Sequence, residues 1–139
     1  MASTMLLTSV ALAGVAGAGD ARLSPKDWRK AANAICVKAD TRAQKVIDET
    51  FGDVPRDEQP SLEQMTTYVA GIEPIITQLV NRIEGLDAPK TLEKKVKRFV
   101  ATARRELEEV VADPSIGLES NPFSDTSLRA GALGVKACA

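Results

Sequence analysis

Residues 61–89 read SLEQMTTYVAGIEPIITQLVNRIEGLDAP. Leu62, Met65, Val69, Ile72, Ile76, Leu79, Ile83 and Leu86 follow one another at steps of three and four, the seam of an amphipathic helix packed in coiled-coil fashion. Ser61 with Gln64 supplies a capping box at its start. Pro74 removes one N–H and presses on the carbonyl of Ala70. The seam stays in phase beyond it, so a bend over Gly71 to Pro74 is expected and a stop is not. Such a seam needs partners. Asp87-Ala88-Pro89 leaves only a short connection, which makes the next helix an antiparallel neighbour.

Working outward, Ser24-Pro25-Lys26-Asp27 carries the marks of a helix start: a serine N-cap, a proline at the first helical position where its missing N–H costs nothing, and an aspartate able to return a bond from the third position. Trp28, Ala32, Ile35, Ala39, Ala43 and Val46 then form one apolar stripe of a helix running to about Thr50. Gly52, Pro55 and Pro60 end it in an acidic turn. Downstream, Leu92, Val96, Phe99, Ala103, Leu107 and Val110 mark the buried face of a third helix that ends at Asp113-Pro114. Ser115 to Pro122 reads as an irregular linker. A short helix from about Ser124 to Leu133 follows, stopped by Gly134 in the left-handed cap position. The expected fold is therefore all-α, an antiparallel bundle of three long helices plus a short C-terminal helix.

Only 4% of the 139 residues are aromatic, so the core must be built from aliphatic side chains, which suits close helix-to-helix packing. At the other end, Met5 to Ala18 reads MLLTSVALAGVAGA, an uncharged apolar run ending in small residues. It is too short to span a bilayer, which takes roughly 20 apolar residues, and matches a secretory signal with Ala16-Gly17-Ala18 as the cleavage site. No Lys or Arg precedes the run. Leu12-Ala13-Gly14-Val15 has a valine where a lipobox carries its acylated cysteine, so no lipid anchor is expected. The reading is a signal peptide over residues 1–18, a single domain over 19–139, and a secreted, extracytoplasmic location without a stable membrane anchor unless the leader is retained uncleaved. In that oxidising compartment Cys36 and Cys138 are expected to form a disulfide that staples the C-terminal segment onto the first helix.

The chain contains no histidine. This removes the usual general base at neutral pH, the partner of serine and cysteine nucleophiles, and the commonest transition-metal ligand. Carboxylate pairs such as Asp48 with Glu49 and Glu108 with Glu109 are sequence neighbours, which on a helix point about 100° apart and do not share a proton or a metal. No glycine-rich phosphate loop, nucleophile elbow or metal-ligand spacing is present, so no catalytic residue, cofactor or metal is assigned.

One charge feature stands out. Lys90, Lys94, Lys97, Arg98 and Arg105 recur at helical spacing along one side of the third helix, whose acids Glu106, Glu108, Glu109 and Asp113 close it, an order that opposes the helix dipole. The bland reading is a solvated face answered by acids such as Glu84 and Asp87. The functional one is a docking surface for an anionic partner. With a formal net charge of −1 and no aromatic residue interleaved with the bases, nucleic acid is not an expected partner.

Ala31-Ala32-Asn33-Ala34-Ile35-Cys36, Asp87-Ala88-Pro89, and Asn121-Pro122-Phe123 leading to Leu133-Gly134-Val135-Lys136-Ala137-Cys138 together resemble a group of small secreted or lipoprotein-like proteins of actinobacteria. In that group the pattern looks like A-x-A-I-C near the mature start and G-L-x-x-C-G at the end. The resemblance implies a helical, disulfide-closed envelope protein and implies no activity. The expected function is a non-catalytic secreted or cell-envelope binding module whose partner is an anionic envelope component or another envelope protein. The alternatives are a cofactor-free helical enzyme of the chorismate-mutase-like class, which needs inward Arg or Lys in a polar pocket, and a carrier with an apolar cavity for a small ligand.

Overall fold

The computed structural model describes residues 22–139. The expected leader, residues 1–18, and residues 19–21 lie outside the described residues. Helix α1 spans Pro25–Phe51, α2 Leu62–Glu84, α3 Glu93–Ala112, α4 Ile116–Glu119 and α5 Ser124–Leu133, with a single 3-10 turn at Lys136–Cys138. There is no strand among the described residues.

The helix boundaries follow from local chemistry. Ser24 Oγ accepts the backbone N–H of Asp27 at 3.1 Å, and Pro25 opens the first turn. At α2 the reciprocal box is complete: Ser61 Oγ accepts from Gln64 N at 3.1 Å while Gln64 Oε1 accepts from Ser61 N at 2.8 Å. Between them these bonds satisfy donors that a helix start otherwise leaves orphaned. Helix α2 runs unbroken through Pro74. At the far end Gly134 adopts φ 76°, the left-handed conformation that closes α5 without a Cβ clash.

Helix α2 is the central element, packed on α1 and α3, while α5 packs on α3 and the 3-10 turn returns the chain to α1. The main core gathers Trp28, Ala32 and Cys36 of α1, Val80 and Ile83 of α2, Val96, Phe99, Val100 and Ala103 of α3, and Ala130 and Leu133 of α5. A second cluster of Met65, Val69, Leu107 and Val110, flanked by Phe51, Tyr68, Leu118 and Phe123, fills the end nearer the α1–α2 turn. All six apolar positions expected on the third helix are buried.

Two expectations need correction, and two features carried no expectation. Leu62 of the α2 seam is 53% exposed, whereas Ile75 and Val80, outside the seam, are buried. A helix gripped on two sides buries a broader face than a coiled-coil seam. The linker Ser115 to Pro122 contains the helical turn α4, and the residues after Gly134 form a 3-10 turn. Lastly, Glu106, one of the acids that close α3, is buried, at 5% exposure.

Candidate functional site

Cys36 and Cys138 are joined, with Cα atoms 5.4 Å apart across 102 positions of sequence. The bridge does not hold the C-terminal tail alone. Arg29 Nε donates to Leu133 O at 2.9 Å, Asn33 Nδ2 to Gly134 O at 3.4 Å, and Ala137 N to Asn33 Oδ1 at 3.0 Å. Asn33 and Arg29 sit three and seven residues before Cys36, which on a helix places all three on one face. The stapled end therefore reads as a rigid structural joint.

The predicted basic residues Lys94, Lys97, Arg98 and Arg105 are all exposed on α3, and Lys90 is exposed in the turn that precedes it. They point away from the buried face made by Val96, Phe99, Ala103, Leu107 and Val110. Their neutralisation is uneven. Lys97 Nζ lies 3.0 Å from Glu93 Oε1, and Arg105 reaches Glu109 at 3.6 Å and Asp125 at 3.3 Å. Among the described residues, Lys90, Lys94 and Arg98 form no ion pair. Glu84, expected to answer this row, is engaged elsewhere: Arg104 binds it through two nitrogens, at 3.1 and 2.5 Å, and binds Asn81 Oδ1 at 3.1 Å. Asp87 contributes its backbone carbonyl to Leu23 N at 3.0 Å.

Beside this row lies a half-open cleft of about 460 Å³, floored by Leu86, Val96 and Val100 and rimmed by Arg22, Lys97, Arg104, Glu84 and Glu93. The hydrogen bond from Lys97, joined by that from Arg22, holds the Glu93 carboxyl below its ordinary pKa, and the Arg104 hydrogen bond does the same for Glu84. Each cation on the rim is thus committed to a carboxylate.

A second pocket, of about 500 Å³, opens where α4 crosses the lower ends of α1, α2 and α3. Phe51, Tyr68 and Phe123 line it, with the Phe51 and Tyr68 ring centroids 5.2 Å apart. Burial pushes the Tyr68 phenol up from its ordinary pKa. The sequence carried no periodic signal for this pocket, because its walls come from four separate segments.

Among the described residues no group of acidic or sulfur ligands is placed to hold a metal ion, and no helix is long and apolar enough to cross a membrane. No known family, no curated protein and no solved structure matches the chain.

Proposed function

We propose that this is a secreted, non-catalytic binding module that docks on an anionic component of the cell envelope through the outward face of α3. The observation that carries the reading is the pair Lys94 and Arg98, exposed one turn apart and without an ion pair among the described residues, while Lys97, Arg104 and Arg105 around them hold carboxylates. Cations left unanswered on a surface rich in ion pairs offer charge to a partner at little cost in displaced contacts.

The long helices run antiparallel in this reading. Supporting it, Leu23 meets Asp87, Arg42 bonds Gln78, Val46 faces Gly71 and Phe51 touches Tyr68, so numbers rise along α1 as they fall along α2. The pairing of Arg22, Lys97 and Arg104 with carboxylates favours a binding role over an electrostatic enzyme, whose cations must be free to meet the substrate. The resemblance to small actinobacterial envelope proteins and the disulfide both favour export.

The test is charge reversal. A Lys94→Glu, Lys97→Glu, Arg98→Glu triple variant leaves every apolar position of α3 intact and should keep the circular dichroism and thermal midpoint of a folded bundle. Retention of the unaltered protein on isolated envelopes should fall as salt rises, and the variant should be retained less at low salt. Equal retention of both proteins at low and high salt would remove the docking role. Loss of retention after protease treatment of the envelopes would assign the site to an acidic protein instead.

A further inference from the structure

The chain has five aromatic residues, and they divide cleanly. Trp28 and Phe99 are sealed in the main core at 0% and 1% exposure. The other three, Phe51, Tyr68 and Phe123, are half-buried, come from three separate parts of the chain, and line the one pocket beneath α4. The 3-10 turn packs on α1 and is tied to it at Cys36, while α4 packs on α2: a Cβ on Gly117 would come within 2.7 Å of Met65 Sδ.

We infer that this pocket binds a small apolar cation, of the quaternary-ammonium type, with its charged head among the three rings and its apolar body on Met65 and Val110. Aromatic faces attract a desolvated cation through the ring quadrupole, and they do so best where several rings converge. Among the residues that line the pocket, Glu119 is the only charged one, so the lining offers an anion and no cation. The raised Tyr68 phenol keeps its proton at neutral pH, which leaves its ring a neutral π surface. An anionic ligand would meet both Glu119 and the negative ring faces. A neutral hydrophobe would gain the apolar contacts but neither electrostatic term. This site is separate from the α3 face and does not depend on the docking role.

The experiment titrates the full mature chain with three probes of similar shape: benzyltrimethylammonium, neopentylbenzene and phenylacetate. The readout is the NMR signals of the Tyr68, Phe51 and Phe123 rings. Saturable shifts should appear with the cation, weaker binding with the neutral isostere and least with the anion. Tyr68→Leu should weaken cation binding by about two- to fivefold, the worth of one ring contact at a partly exposed site. Glu119→Gln, at an exposed position that leaves the packing intact, should narrow the gap between cation and neutral probe. If Tyr68→Leu does not fold, the Glu119→Gln comparison still decides. Equal binding of the neutral and cationic probes, no saturable shift of the pocket rings, or a preference untouched by Glu119→Gln would overturn the assignment.

Discussion

The buried carboxylate of Glu106 on α3 receives both the backbone N–H of Thr126, at 3.0 Å, and its hydroxyl, at 2.5 Å. It also accepts the N–H of Asp125 at 3.1 Å. Phe123, the residue at the N-cap of α5, has no side chain able to cap, so α5 borrows its cap from another helix. A negative charge at a helix start is favourable through the dipole and through the free N–H groups. The same bond set docks α5 onto α3.

Glu106→Ala should therefore lower the stability of the domain by about 1–3 kcal/mol, because it strands two part-buried backbone donors. Thr126→Val, which removes only the hydroxyl bond, should cost about 1 kcal/mol. Urea unfolding checks both, and midpoints unmoved in the two variants would show that α5 is held by packing alone.

The Cys36–Cys138 bridge closes a loop spanning 102 positions, nearly the whole described chain. Thiol labelling of the unfolded protein without reductant should find no free cysteine. Cys36→Ser should cost about 4–5 kcal/mol on the loop-entropy argument, read as a drop in the unfolding midpoint. An unchanged midpoint would mean that Arg29 and Asn33 secure the tail without it. For export, mass spectrometry of the native product should find an amino terminus close to Gly19 and no lipid. An intact Met1 in cytosolic extract would overturn that localisation.

What the sequence made legible and what it hid divide along the range of the interaction. Ser24, Ser61 and Gly134 act on backbone groups within a few residues, so their helix ends could be read directly. The buried face of α3 was legible because its apolar residues recur at helical spacing on one side, even though they serve both apolar clusters. Glu106 was not, since its burial depends on α5 arriving from beyond the α4 segment. Ile75 and Val80 were missed because a three-four seam describes a helix with one neighbour, and α2 packs on both α1 and α3. The aromatic pocket has no local signature at all. Its rings are separated in sequence by 17 and 55 positions and come to line one pocket only in the folded bundle.

The lowered carboxyls of Glu93 and Glu84 give a pH dependence with a definite sign. Each binds its proton less readily in the folded chain than in the unfolded one. Their contribution is therefore present above the ordinary carboxylate pKa and fades as pH falls through the lowered folded values. Both are open to solvent, so the effect should be small and should shrink with salt. Carboxyl NMR titration should find both midpoints below the ordinary glutamate value. Arg104→Gln should return Glu84 toward it and leave Glu93 unmoved. Equal movement of both would show that the two ion-pair sets are coupled across the cleft.

Gly71 and Val46 set the separation of α1 and α2. A Cβ built at Gly71 would fall 2.6 Å from Val46 Cγ1, closer than side chains tolerate, so the glycine is what lets the two helices meet at this level. Two effects oppose each other in Gly71→Ala. Replacing glycine inside a helix gains about 1 kcal/mol of propensity. Overlap with a β-branched side chain, which has few rotamers to retreat into, costs about 1–3 kcal/mol. The overlap should win, and Gly71→Ala alone should lower the unfolding midpoint. Val46 is only half-buried, so Val46→Ala should cost less than a core truncation and should clear the space. In that background Gly71→Ala should change sign and stabilise, because only the propensity gain is left. A double-mutant cycle measures this directly. If the two substitutions prove additive, steric contact between Gly71 and Val46 does not set the helix spacing, and the glycine is there for another reason.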